Sequence, residues 1–548
     1  MKRYLRKIPL PQAIEMLTAT FSQPSHREVV LAEEANGTIL ASPVYAKATV
    51  PATRIASMDG IAVKYEETLQ ARDQHPVQLT HAVSISTGQE IPPGYNAVIP
   101  SEEIWMGEED TYQVRRPARM NQNIREPGEE VRQGRLILHP GHRITASDIG
   151  ALITYGIGEV EVRTLVIGLI PTGDELVPGR DEPKPGQVRE SNTAVIASSL
   201  IQAGIRPLRF PIVPDDPDQI RAAITTAVHQ CDIVIISAGS SGGKRDHTRE
   251  VIEELGSILF HGVAMRPGKT LLCGKINDKP VIGLPGQPMA SLTAWREVVT
   301  PLLRSWGFVL KQYPESSART AEPIPSDGGI DEFIPVSVVR IRGEDFVFPR
   351  PRGAAGQMQA VRSNAVLHIP VVKEGYREGA MVTVRLTRQH EDEQGILIAG
   401  VSDILTDHLQ ATFFSGNAHL IIRPLSAIGA AASLCKGTCH GIFLPESAMA
   451  PETDVFRLLK SGCPEPLRSI GVGCRDGELI LLIYRDSPAG LCEISPLIEF
   501  LSSSMWQKSD GYPESVTLKG AGRPGESYIP GPEYAEAQAQ DHSEGIQS

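Results

Sequence analysis

The sequence predicts a multidomain α/β protein. A central α/β domain with a mostly parallel sheet is joined by two β-rich domains, a helical connector and a further C-terminal α/β unit. Three observations predict this. A chain of 548 residues exceeds what one hydrophobic core organises. Between residues 166 and 312, short apolar runs alternate with amphipathic ones, and such alternation builds a parallel sheet covered on both faces. Around it, residues 46–136 and 313–388 break into short strand-like runs punctuated by Gly and Pro.

Along the chain, QAIEMLTATF and TASDIGALITYG read as helices of a connector made from residues 1–45 and 137–165, which brackets the β-rich insertion 46–136. In residues 166–312, VIGLIPTG, RPLRFPIV, DIVIISAG and PVIGLPG read as strands. NTAVIASSLIQAG, PDQIRAAITTAVHQ, HTREVIEELG and PMASLTAWREVVTPLLRSW read as the helices between and after them. HAVSIST belongs to the first β-rich domain, VFPRPRG and GAMVTVRL to the second, 313–388. The polar run RLTRQHEDEQG marks a linker, so a boundary is placed near Gln389. Beyond it the balance changes: residues 389–548 hold 10 basic and 21 acidic groups and carry nearly all of the net charge of −12. Residues 389–511 form the C-terminal unit. Residues 512–548, rich in Gly, Pro, Glu, Gln and Ser, read as a disordered tail.

Composition excludes several functions. No stretch approaches the roughly 20 apolar residues that span a bilayer, and the N-terminus has no secretory apolar region, so a cytoplasmic protein without membrane partners is expected. Nucleic acid is no expected partner either, because an acidic chain lacks the Lys/Arg excess that neutralises phosphates. The seven cysteines contain no CxxC pair and describe no disulfide framework. Cys435 and Cys439 stand at the i, i+4 spacing of one helix face, yet no second pair completes a zinc site, and burial as small hydrophobes is expected.

The candidate chemistry concentrates at the carboxyl ends of the predicted strands, where open α/β sheets bind ligands. In PTGDEL, Thr172 and Gly173 turn the backbone off a strand and Asp174 and Glu175 follow as paired carboxylates. In SAGSSGGKRDHT, the small residues Gly239, Ser240, Ser241 and Gly242 offer backbone N–H groups before a helix, and Asp246 stands where it caps that helix or holds a metal ion. This loop matches neither a Walker A nor a GxGxxG pattern, which removes support for ATP-driven transfer and nicotinamide chemistry. RPGKT places Arg266 and Lys269 on either side of a Pro-Gly turn, and GLPGQP brings Pro285 and Gly286 to a second strand-to-helix turn. Backbone donors, two cations and carboxylates suited to Mg²⁺ point to a phosphorylated substrate.

The order of nine motifs is more specific than any one of them. SMDGIAV, STGQEIP, REPGEEV, PTGDEL, ESN, PDDP, SAGSSGGKRDHT, RPGKT and GLPGQP together resemble the molybdopterin molybdenumtransferase family, which includes the C-terminal enzyme domain of gephyrin. The resemblance spans roughly residues 1–388. It implies a homodimer whose molybdopterin-binding domain is 166–312, with a β-barrel-like domain at 313–388. It implies insertion of molybdate into adenylylated molybdopterin with release of AMP, dependent on Mg²⁺, and handover of the product to molybdoenzymes or contact with an adenylyltransferase partner. By position, Asp59 of SMDG and Thr87 of STG face the site from the partner subunit. Glu175, Asp215 and Asp246 arrange Mg²⁺ or the phosphoanhydride, Arg266 and Lys269 hold phosphate or molybdate, and Ser191 and Asn192 join the substrate-binding loops. The chain departs from the family pattern at Ala238 and Ser240, at Arg266, at Gln287 and in the serine-poor stretch Gly353 to Asn364. Residues 389–511 resemble a truncated periplasmic-binding-protein-like domain. Two other readings stay open: a cofactor carrier or regulator that has lost turnover, and a dimeric scaffold.

Overall fold

The computed structural model describes residues 6–107, 111–237, 247–308, 310, 314–353, 356–388, 394–413, 418–475, 478–503 and 516–517. The central sheet runs in the order Arg206–Arg209, Val166–Pro171, Ile233–Ser237, Lys279–Leu284, Leu272–Ile276, Ser257–His261. The first four strands are parallel. The last two are antiparallel and extend the sheet at one edge, and neither was read from the sequence as a strand. Alternate residues feed two cores. Ile167, Leu169, Ile233, Ile235 and Ile282 face one side, and Ile170, Val234, Ile236 and Val281 the other. Both faces being covered explains why these strands are continuous apolar runs.

The first core also takes in Leu10, Ala13, Leu17 and Phe21. The helix Leu10–Thr20 therefore packs on the α/β domain through its i, i+3, i+7 face, and the Trp306 indole N–H donates to the Phe21 carbonyl at 3.2 Å. This corrects the expected placement of residues 10–21 in the connector. The connector itself is a three-stranded sheet, Arg27–Leu31, Glu159–Arg163 and Ile39–Leu40, with the helix Ala146–Thr154 over its own small core. The apolar run after GLPGQP is helical throughout, as expected, with Pro288–Ala294 and Thr300–Ser305 joined by a wider, π-type turn at Trp295–Val299.

In the insertion, Gly60–Val63 is the middle strand between Val83–Ile85 and Ala97–Pro100. Gly60 is required there, because a Cβ would lie 1.9 Å from the Ile99 carbonyl oxygen. Residues 314–388 close into a ring of five strands, Asp331–Ile341, Glu344–Pro349, Glu315–Thr320, Met381–Leu386 and Ala365–Ile369, the last pairing back to the first. The short strand Met265–Arg266 of the α/β domain adds to this ring, with Arg266 in register with Glu332.

C-terminal to the ring is a mixed sheet in the order Ala418–Pro424, Gln394–Gly400, Gly441–Pro445, Glu478–Arg485, Leu467–Arg475, Val516–Thr517. Its last strand, Val516–Thr517, pairs with Cys474 and Arg475 and lies within the stretch expected as a disordered tail. The rest of that tail and the linker at Gln389 lie outside the described residues. Cys435 lies in the last turn of the helix Ala427–Lys436, but Cys439 falls beyond it, so the two do not share a helix face. Cys439 is buried, and burial pushes its thiol up to about 12. No described helix is long and apolar enough to cross a membrane.

Candidate functional site

At the carboxyl ends of the central strands, a network of backbone bonds draws the sequence motifs together. The N–H and Oγ1 of Thr172 donate to the Ser237 carbonyl at 3.0 and 3.2 Å, and the Gly173 N–H donates to the Val213 carbonyl at 3.1 Å. PTGDEL, PDDP and the end of the 233–237 strand are thereby fixed side by side. Asn192 adds a second tie, its Nδ2 donating to Ser237 Oγ at 3.1 Å and to the Gly286 carbonyl at 2.8 Å. The helix Asn192–Gln202 is capped by Glu190: its buried carboxylate accepts from the Thr193 N–H and hydroxyl at 2.7 Å each, and from Arg209 at 3.1 Å. Ser191 at the N-cap makes no side-chain cap, which leaves its hydroxyl available to the cleft in front of it.

That cleft has a volume of about 1030 Å³ and lies between the α/β domain and the five-stranded ring. Of the residues singled out in the sequence, Glu175, Ser191, Asn192, Arg266, Lys269, Pro285 and Gly286 line it. Lys7, Arg189, Glu332 and Arg352 also line it and carry no local motif. Arg352 follows the run VFPRP; a basic residue just past a strand was its only signal. The cations are held differently. Arg189 donates to the Asp181 carbonyl and to Glu182, each at 3.0 Å. Arg266 pairs with Asp327 at 2.6 Å. Arg352 pairs with Glu332 at 3.2 Å.

Asp174 and Asp215 gather near Glu175 but are not among the residues that line the cleft. The Asp215 N–H donates to Asp174 Oδ1 at 3.1 Å, and the Glu175 side chain curls over Gly173. Burial raises the Asp215 carboxyl above its ordinary pKa, and the charges of Asp174 and Glu175 raise it further. This is an excess of negative charge with oxygen donors, the chemistry a hard divalent cation relieves. Among the described residues no three such side chains meet as a complete metal site. Mg²⁺ characteristically takes only one or two carboxylates, with water and substrate phosphate supplying the rest, so the donor set fits it. Asp246 and the loop residues Gly239, Ser240, Ser241 and Gly242 lie outside the described residues.

Asp59 and Thr87 meet each other: the Thr87 N–H donates to Asp59 Oδ1 at 2.6 Å. Both are exposed on the insertion, and neither lines the cleft of the same chain.

Comparison with known proteins gives this geometry a context. Residues 8–156 match the family described as "MoeA N-terminal region (domain I and II)", and residues 168–305 match the "Probable molybdopterin binding domain". A molybdopterin molybdenumtransferase from Haemophilus influenzae is 30% identical over 312 residues, 54% of this chain and 77% of the relative. The chain belongs to the molybdopterin molybdenumtransferase family. The enzyme of that name from Bacillus subtilis is 29% identical over 414 residues, covering 71% of this chain and 96% of the relative. Among solved structures, a molybdopterin biosynthesis MoeA protein from Pyrococcus horikosii is 30% identical with a TM-score of 0.59, covering 70% of this chain and all of that one. The protein is thus an enzyme of molybdenum cofactor biosynthesis, and the cleft is lined by residues of the second family match and of the ring that follows it.

Proposed function

We propose that this cleft takes adenylylated molybdopterin and molybdate, and that the enzyme inserts molybdenum into the pterin dithiolene with release of AMP. The observation that carries the reading is the convergence of the RPGKT cations with the bare loop at Pro285 and Gly286 on a single cleft. Two cations beside backbone donors suit a tetrahedral oxyanion or a phosphoanhydride, whose negative charge grows as AMP departs. Lys269 and Arg266 are the groups to receive that charge, while Ser191 and Asn192 orient the substrate against the loop. Glu175 and Asp215, with Asp246, are the groups to hold Mg²⁺, which supplies further charge neutralisation on the phosphates.

Asp59 and Thr87 fit the role of closing the cleft of a second copy, since they stand exposed and joined on the insertion while the cleft of their own chain lies elsewhere. A homodimer in the cytoplasm, passing its product to a molybdoenzyme acceptor or receiving substrate from an adenylyltransferase, completes the proposal. The C-terminal sheet is proposed as a one-lobed, periplasmic-binding-protein-like appendage with a stabilising role.

The test is AMP release from adenylylated molybdopterin by the full chain with Mg²⁺ and molybdate. Molybdate-dependent AMP release that is lost in Asp215→Asn and restored in part by raised Mg²⁺ supports the reading. Tight pterin binding with no AMP from either protein refutes it in favour of a carrier.

A further inference from the structure

The two cleft arginines facing the ring are anchored in opposite ways. Arg352 is fixed by Glu332, whose side chain is only 2% exposed, through contacts of 3.2 and 3.4 Å, and it also donates to the Pro325 carbonyl. Arg266 is half exposed and gives one terminal nitrogen to Asp327 Oδ2 at 2.6 Å, where the carboxylate is itself 67% exposed. Both carboxylates sit on one short segment, and its backbone is tied down around Asp327. The Ser326 N–H donates to the Glu374 carbonyl at 2.8 Å and the Gly329 N–H to the Val371 carbonyl at 3.0 Å. Ser326 Oγ donates to Glu332 at 2.5 Å, and the Asp331 N–H donates to the Ala264 carbonyl at 3.0 Å. The segment is therefore held, while the Asp327 side chain remains free to swing into water.

We infer that Asp327 is an internal competitor for the oxyanion of this cleft, so that it sets the affinity and selectivity of the Arg266 position. The inference rests on the oxyanion reading of the cleft given above. A carboxylate and a tetrahedral oxyanion use the same guanidinium N–H donors. Glu332 cannot yield Arg352, because a buried carboxylate stripped of its partner has no water to return to. Asp327 can yield Arg266, because an exposed ion pair is weak and its carboxylate is rehydrated as it leaves. A dianion that also reaches Lys269 displaces Asp327; an anion that contacts Arg266 alone gains too little to do so. Asp327 thereby keeps the arginine oriented and screened until a ligand with two cation contacts arrives.

The experiment is calorimetric titration of the full chain with sodium molybdate at fixed low ionic strength, comparing wild type, Asp327→Asn, Asp327→Ser, Asp327→Glu and Lys269→Ala. Removing the competitor is expected to tighten molybdate binding about two- to fivefold in Asp327→Asn and Asp327→Ser, the scale of an exposed ion pair. Asp327→Glu is expected to stay close to wild type, and the unfolding midpoint to stay unchanged in all three. Unchanged or weaker binding in Asp327→Asn and Asp327→Ser, with wild type binding and Lys269→Ala weakened, overturns this inference alone. No binding by wild type overturns the oxyanion reading of the cleft and this inference with it.

Discussion

Lys269, like Lys7, lines the cleft without a carboxylate partner among the described contacts, in contrast to Arg266, Arg189 and Arg352. Its ammonium is a point charge available in full to substrate. Lys269→Ala is therefore expected to lower kcat/KM for molybdate-dependent AMP release about 10- to 100-fold, the loss of one hydrogen bond to a charged group. Steady-state kinetics at varied molybdate checks this, and an effect under threefold refutes the assignment. Lys269 was legible in the sequence because RPGKT puts two cations on one turn. Lys7, Glu332 and Arg352 were not, because each reaches the cleft from a distant segment: Lys7 through the bridge of Ile8 to Val263, and Glu332 through the pairing of residues 331–332 with 265–266. No local spacing encodes a contact that exists only once two domains share a strand.

At the scale of elements, the same turn depends on its glycine. Gly268 has φ +110°, and a Cβ there would stand 2.6 Å from Met265 Cε and 3.3 Å from the Ala290 carbonyl oxygen. The methionine tip can move aside, so the backbone conformation is the larger obstacle. Gly268→Ala is expected to destabilise by about 1–3 kcal/mol. It should also reduce AMP release at temperatures where the variant stays folded, because Arg266 and Lys269 lie on either side of it. Urea unfolding with an unchanged slope and a lowered midpoint, beside turnover, measures both. The parallel strands of the central sheet were legible as apolar runs because both their faces are buried. Ser257–His261 and Leu272–Ile276 were not, because an antiparallel edge pair on either side of RPGKT follows no βαβ rhythm. The helix Leu10–Thr20 was legible as a helix, while its partner was not. An amphipathic face states that it is buried without stating against what.

Across the whole molecule, the C-terminal sheet is packed onto the ring. Ala321, Val339, Ile341 and Phe348 of the ring share one core with Leu397, Ala399, Ala430, Leu434 and Ile442. Arg342–Glu465 at 2.5 Å and Arg423–Glu322 bracket that seam. Ending the chain at residue 388 is expected to expose the ring's outer apolar patch, lowering the unfolding midpoint of the remainder and increasing binding of a hydrophobic dye; an unchanged midpoint refutes the structural role. The seam also holds a buried titratable group. His440 accepts the Leu397 N–H at Nδ1 across 2.9 Å, which needs an unprotonated nitrogen, and burial pushes its pKa down to about 4. The neutral ring is thus the native form. Its contribution is complete above the unfolded value near 6.5, and it is lost as pH falls from there to about 4, amounting to roughly 3 kcal/mol. Glu493, 3.7 Å away, is pushed above its usual pKa by burial and works in the opposite sense, gaining stability as pH falls. His440→Asn keeps an acceptor for Leu397 and removes the titration, leaving Glu493 in place. The difference in urea midpoint between wild type and His440→Asn is therefore expected to shift steadily in favour of the variant from pH 6.5 to pH 4. A difference that stays constant over that range shows that the ring is protonated as easily in the folded protein as in the unfolded chain.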